Sequence, residues 1–153
     1  MNASASAVRR IWRTVAVAGL AFGAREARAQ VSVSGSPAAM KVTMAVAGSA
    51  PAAVSDALTT YSSATNPAPG HFSITASINS PMPAGVTLTI TLAASQGSSA
   101  GAVTLITVAQ NVVTGITKKM NSQTITYKLS ATAAAGVVPL QTRQVTLTQI
   151  STP

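Results

Sequence analysis

The sequence predicts an all-β fold, an antiparallel β-sandwich of about seven or eight strands. The first observation is the alternation of apolar and polar residues, which is clearest in VTLTITL (Val86–Leu92). The second is the even spacing of such runs, about one every ten residues, with proline, glycine and serine between them. Little room is left for a helix. A small closed barrel is the alternative architecture.

Residues 1–29 have the pattern of a cleavable secretory signal peptide. Three arginines (Arg9, Arg10, Arg13) precede an apolar run of eleven residues. Small residues then occupy Ala27 and Ala29, which predicts cleavage before Gln30. The apolar run is about half the roughly 20 residues that span a bilayer, so no transmembrane anchor is expected after cleavage.

The signal also predicts where the protein goes. Its compact form is typical of bacterial export, so the expected location is the periplasm, the cell surface or the medium. The arginine pair Arg9–Arg10 is compatible with the twin-arginine route, whereas Val8 and Arg13 around it favour general secretion.

The remaining residues, 30–153, have the length of a single domain. The net charge of the whole chain is +8, but only +4 remains after residue 29. The remaining cations are scattered, only Lys118 and Lys119 are adjacent, and no aromatic residue is interleaved with them, so nucleic-acid binding is not expected. The chain has no cysteine, so apolar packing and sheet hydrogen bonds must stabilise it.

The strands are predicted from the alternating runs. Those in the first half are Gln30–Ser34, Ala39–Ala47, Thr59–Ala64, His71–Ile78 and Val86–Ala93. Between them, Gly48–Leu58 is read as a loop, with or without a helical turn. Those in the second half are Ala102–Val108 (a hairpin partner of Val86–Ala93), Ser122–Ala133 and Gln141–Ile150, and Ala109–Asn121 is read as a crossing segment.

Threonine covers the predicted outer face of the Val86–Leu92 strand, at Thr87, Thr89 and Thr91. Threonine is β-branched and suits a pleated sheet surface, and its hydroxyl keeps that surface hydrated without adding charge. Proteins usually protect exposed strand edges with charged residues, and this chain has few. Two interpretations stay open: a monomer with a neutral surface, or a subunit that pairs with itself or with a surface lattice.

Catalytic groups are scarce after residue 29. Asp56 is the one carboxylate side chain and His71 the one histidine, which excludes a carboxylate pair and a metal site of three or more ligands. A serine hydrolase would need His71, Asp56 and a serine to meet, and no Gly-x-Ser-x-Gly motif is present to host it. No catalytic residue, cofactor or metal is therefore predicted.

Few residues remain for binding. Phe72 and Tyr127 fall on predicted apolar faces, which leaves Tyr61 as the one aromatic ring for a surface. One ring is too few for a sugar-stacking platform, so none is expected. The predicted interaction surface therefore consists of Tyr61, His71, Lys118 and Lys119.

The segment TITYKLSATAAAG followed by RQVTLT (within residues 112–150) resembles the end of small, secreted, uncharacterised bacterial β-sandwich proteins. More loosely, the chain is similar to pilin-like and spore-coat-like sandwich subunits, in which a strand of one subunit completes the sheet of the next. The resemblance implies an immunoglobulin-like sandwich and carries no site residues. The cysteine pair common in assembled pilins is absent here.

These observations predict an exported, non-catalytic structural or cell-surface protein that self-associates by β-strand addition, with itself or an envelope component as partner. The alternative is a monomeric secreted module that binds a glycan, a small ligand or a partner protein.

Overall fold

The computed structural model describes residues 30–43, 49–64 and 70–152. The predicted signal peptide, residues 1–29 with Ala27 and Ala29 of its cleavage site, lies outside the described residues. Nine strands are described: β1 (Gln30–Ser34), β2 (Val54–Ala64), β3 (His71–Ile78), β4 (Val86–Leu92), β5 (Ser98–Ser99), β6 (Val103–Thr104), β7 (Gln110–Ile116), β8 (Met120–Ala131) and β9 (Val145–Thr152). A single 3-10 turn, Ala133–Ala135, precedes β9.

The strands form two antiparallel sheets. The five-stranded sheet has the order β1-β2-β8-β4-β6, and the four-stranded sheet has the order β5-β7-β3-β9. This arrangement confirms the predicted all-β antiparallel sandwich, although the strands are more numerous than predicted. The immunoglobulin-like topology stays a prediction.

The core lies between the sheets and is built from the inward positions of the alternating strands. Leu88, Ile90 and Leu92 of β4 are buried while the threonines between them face outward, as the alternation predicts. The fully buried aliphatic side chains of the opposite sheet include Ile74, Val112, Val113 and Ile116. At about 25 cal/mol per Å² of apolar area, these contacts are the main source of stability in a chain without disulfides.

The prediction of a strand over Ala39–Ala47 is wrong for its described part, because residues 39–43 form no strand. The Asp56 carboxylate accepts a hydrogen bond from the Ala38 backbone N–H at 3.2 Å, so a side chain supplies the partner that a neighbouring strand would supply. Met40 nevertheless packs against the core, which explains its apolar pattern.

β2 begins earlier than predicted, within the segment read as a loop. Its pairing with β8 shifts register between Asp56 and Thr59, and both of these residues are buried. This β-bulge breaks the alternation on which the sequence prediction depends. Ser122, in the partner strand, adopts a positive φ of 49° at a second register shift.

β7 was predicted as a crossing segment, which is wrong. Val112 and Val113 are adjacent and both fully buried, because the pairing of β7 with β3 shifts register beside Ile74. Two consecutive buried residues break the period-two pattern by which a strand is predicted. Gly115 is of a residue type typical of turns, which also argues against a strand in the sequence. The antiparallel pairing of β4 with β6 is confirmed, but the two strands form no hairpin, because β5 of the other sheet lies between them in the chain. β6 has two residues, and the short β5 is additional to the predicted strands.

Candidate functional site

Tyr61 is a core residue and not part of a surface. Its side chain is 1% exposed, and its hydroxyl donates a 2.6 Å hydrogen bond to the Ala93 carbonyl oxygen. Burial raises the pKa of Tyr61 to about 12. This corrects the prediction that Tyr61 contributes to an interaction surface, and it removes the last aromatic candidate for sugar stacking.

His71, Lys118 and Lys119 are exposed and lie at one end of the four-stranded sheet. His71 is the first residue of β3, and Phe72 next to it pairs with Ile116, two residues before Lys118 in the turn that leads to β8. The structure therefore brings together three of the four residues predicted for an interaction surface. They form a small basic end rather than a concave patch, since Tyr61 is not accessible beside them.

Asp56 lies at the opposite end of the sandwich from His71. Ser63, near the end of β2, contacts Gln149, which pairs with Ile74 close to His71. Ser63 lies seven positions after Asp56 in β2, which is about 23 Å at roughly 3.3 Å per residue. The carboxylate accepts backbone N–H groups of Ala38 and Leu58, both at 3.2 Å. His71 and Asp56 therefore do not form the catalytic pair that a hydrolase would need.

One side of the sandwich is closed by the chain itself. After β4 the chain crosses to β5 in the other sheet, returns to β6, and crosses again to β7. The edge strands on this side, β5 and β6, have two residues each. The Ile78 N–H also donates to the Ile106 carbonyl at 3.0 Å, which ties the second crossing to β3. Edge strands that are this short, and that the chain itself crosses, have few free backbone N–H and C=O groups with which another strand could pair.

The opposite side carries the two terminal strands, and we call it the open side (β1 and β9). Among the described residues, β1 pairs with β2 alone and β9 with β3 alone. β9 keeps an unbroken register with β3 over eight residues, from Val145 to Thr152. It contains no charged residue and no proline, the two devices that usually protect a sheet edge.

A buried polar contact joins the two sheets at the open side. The Ser63 hydroxyl donates to Gln149 Oε1 at 2.8 Å, and Gln149 Nε2 donates to the Ala64 carbonyl at 3.4 Å. Ser63 and Gln149 are not among the residues predicted for a site. A signal was present for Gln149, because it occupies the inward position after Val145 and Leu147, where an apolar residue is expected.

A cleft of about 370 Å³ lies at the start of β4. Its lining is largely apolar and uncharged: Pro81, Met82, Val86, Leu88, Leu105, Ile106 and three threonines. Arg143 helps to fix its rim, because its guanidinium donates to the Pro81 carbonyl oxygen at 2.9 and 3.2 Å. The volume is within the range of small-molecule sites.

The described part of the chain contains no group of three or more His, Cys, Asp or Glu residues placed to hold a metal ion. Across the same ranges, no helix has the length and apolar character needed to cross a bilayer. Comparison with protein-family models, curated proteins and solved structures finds no match to this chain.

Proposed function

We propose that the chain is an exported, non-catalytic structural or cell-surface protein that self-associates by β-strand addition at its open side. The observation that carries the proposal is the difference between the two sides of the sandwich. One side has two-residue edges bridged by the chain, and the other has edges of five and eight residues without charge or proline.

Strand addition uses the backbone groups of an edge strand. Each residue whose backbone points away from the sheet offers an N–H and a C=O, and an added strand forms hydrogen bonds with both. The side chains of the two strands then determine which partner fits. β1 and β9 lie beside one another on the open side, where β1 has Val33 half exposed and β9 has Ile150 41% exposed. Both sheets therefore offer an edge to a partner at the same place.

Export supports the proposal from the sequence. The basic, apolar and small-residue order of residues 1–29 predicts cleavage before Gln30, which is the first residue of β1. Cleavage there would leave an edge strand at the new amino terminus.

A non-catalytic role is supported by the separation of Asp56 from His71. The Asp56 carboxylate receives two backbone N–H groups, so it serves to hold the segment before β2 against the sandwich. The basic end formed by His71, Lys118 and Lys119 is the second surface of the proposed protein, suited to an anionic component of the envelope.

The test is the molar mass of the exported protein in solution. The full-length gene is expressed, the exported product is purified, and mass spectrometry establishes whether its first residue is Gln30. Light scattering over a hundredfold concentration range is expected to show growth beyond one chain. A mass that stays at one chain over the whole range contradicts the proposal.

Deletion of Gln30–Ser36 tests whether β1 contributes. The deletion removes one of the two long edges, so the assemblies are expected to become smaller. Substitution of the exposed Thr124, on the interior strand β8, to Ser is a control away from the open side, and it is expected to leave the mass distribution unchanged.

The alternative, a monomeric binding module, is favoured by the cleft at the start of β4. Its apolar lining fits a small apolar ligand rather than a glycan. A thermal-shift screen of small apolar molecules tests it, with Ile106→Arg to block the cleft. Val108→Arg is the control, because Val108 is more exposed than Ile106 and does not line the cleft. Stabilisation that Ile106→Arg abolishes and Val108→Arg preserves would favour this alternative.

A further inference from the structure

The backbone of β9 alternates between groups that face β3 and groups that face away from it. The Asn79 N–H donates to the Gln144 carbonyl at 3.1 Å, so this pair, one step beyond the strands, is a hydrogen-bonded pair. The neighbouring Ile78 N–H points the other way, to Ile106. Hydrogen-bonded and non-hydrogen-bonded pairs alternate along an antiparallel ladder. Counting from the Asn79–Gln144 pair, the even-numbered residues of β9 therefore exchange hydrogen bonds with β3.

The odd-numbered residues of β9 therefore direct their backbone groups outward. They are Val145, Leu147, Gln149 and Ser151. Each offers one N–H and one C=O, and among the described residues no backbone partner is found for them. Their side chains point into the sandwich or along its rim, so the side chains do not block access to this edge.

From this edge we infer that the strand added to β9 is β9 of a second copy, antiparallel about a two-fold axis at Thr148. In this register Val145 pairs with Ser151 of the second copy, and Leu147 with Gln149 of the second copy. All four outward residues of each copy are then paired, which gives eight hydrogen bonds. Shifting the register between the two β9 strands by two residues in either direction removes one of the four hydrogen-bonded residue pairs. The inference rests on the proposed self-association and names its partner and register.

Charge does not oppose a second copy at the edge of β9. Residues 30–153 carry a net charge of +4, so two copies repel each other at most approaches. β9 has no charged residue, and Arg143 just before it is held by the Pro81 carbonyl. A second copy therefore meets the chain at β9 without like charges directly opposite one another.

The outer face of the joined strands is also compatible with the two-fold register. Thr148 lies opposite Thr148 of the second copy, and Thr–Thr pairs across antiparallel strands are favourable. Thr146 lies opposite Ile150 of the second copy, which covers side chains that are exposed in one chain alone. Pairing of this kind is isologous and closes as a dimer.

A single cysteine tests the register directly, because the chain contains none of its own. Thr148 is in a pair without mutual hydrogen bonds, where Cα atoms lie about 4.5 Å apart, within the range that a disulfide bridges. Thr148→Cys in the exported full chain is expected to form a covalent dimer on mild oxidation. Thr124→Cys is the matched control: Thr124 is exposed on β8, which is an interior strand, and it should remain uncrosslinked.

Opposite charges test the same contact reversibly. Thr148→Lys and Thr148→Glu each place like charges opposite one another and are expected to raise the dissociation constant about tenfold or more. Mixing the two variants is expected to restore association, while Thr124→Lys should have no effect. Circular dichroism and thermal melting show whether each variant is folded; if either charged variant is not, the cysteine result decides.

The outcomes separate this inference from the proposed function. A wild-type mass constant at one chain overturns both. Self-association of the wild type that survives Thr148→Lys, with no crosslink through Thr148→Cys, overturns the β9 register and leaves assembly through β1. A crosslink at residue 148 together with rescue by the mixed charges supports both.

Discussion

The Ser63 hydroxyl donates a 2.8 Å hydrogen bond to Gln149 Oε1, and this buried contact joins β2 of one sheet to β9 of the other. Both side chains are at most 9% exposed. A buried polar group that loses its partner costs about 1–3 kcal/mol, whereas replacing both partners by apolar groups costs much less. The contact therefore holds the edge strand β9 against the sandwich.

Gln149→Leu is expected to lower the free energy of unfolding by about 1–3 kcal/mol, because the Ser63 hydroxyl is left buried without a partner. Ser63→Ala in the same chain should recover part of this loss. Denaturant unfolding of the two single variants and the double variant measures the coupling. Losses that simply add in the double variant would show that the two side chains act independently.

Thr59→Val is expected to raise the free energy of unfolding by about 1 kcal/mol. Thr59 is 1% exposed, and among the residues of the described ranges its hydroxyl has no hydrogen-bond partner. Valine has nearly the same shape and no hydroxyl to desolvate. Thr60→Val, at the half-exposed neighbouring position, is the control, with an expected change within about 0.5 kcal/mol. A destabilised Thr59→Val would point to a partner for the hydroxyl.

Gly97→Ala is expected to lower the free energy of unfolding by about 3 kcal/mol or more. Gly97 has a φ of +76°, and a Cβ there would overlap the Thr114 carbonyl oxygen of β7. Gly101→Ala is the matched control, because Gly101 has a φ of +74° but no atom within 4 Å of an added Cβ. Its cost should be about 1–2 kcal/mol, from backbone strain alone. Equal losses in thermal or denaturant unfolding would contradict the close approach.

Stability is expected to fall at alkaline pH because of Tyr61. Its pKa is about 12 in the folded chain and 10.0 ordinarily, so the neutral phenol is the form that the fold favours. This stabilisation is complete below pH 10 and is lost as the pH rises to 12, by roughly 2–3 kcal/mol. Tyr127 contributes in the same direction, since burial and then the Asp56 charge raise its pKa.

Tyr61→Phe separates the two tyrosines. The variant should lose less stability between pH 10 and 12 than the wild type, because Tyr127 is then the one tyrosine left to ionise. Tyrosinate absorbance provides a second measurement, as the chain has two tyrosines in all. A Tyr61 that ionises near pH 10 in the folded protein would contradict its burial.

The sequence predicts the fold best where alternation is regular. His71–Ile78 was predicted with the bounds that the structure shows, and the inward set of β4 was predicted apart from Val86 at its start, which is half buried. Prediction fails at β-bulges. Val112 and Val113 are adjacent and both buried, and Asp56 and Thr59 are both buried across a register shift, so neither β7 nor the start of β2 has period two.

The candidate site was predicted less well, for a different reason. Tyr61 is predicted at a surface because its neighbours on the same face of the strand, Thr59 and Ser63, are polar; the structure buries all three. The open side depends on which strands neighbour each other, and alternation within a strand carries no information on sheet order. The sequence does predict strands at Gln30–Ser34 and Gln141–Ile150, and these overlap the two long edges, β1 and β9.

The pairing of β9 with β3 also means that the four-stranded sheet is completed only after the last strand has been synthesised. His71 and Thr152 are hydrogen-bonded neighbours, yet 81 residues of synthesis separate them. Until the last strand is made, β3 is the outermost strand of its sheet, and five consecutive residues that the finished protein buries, Phe72–Ala76, lie along it. A stalled or truncated chain would therefore be prone to aggregate through β3, and a completed chain can present β9 only after its own sheet is full.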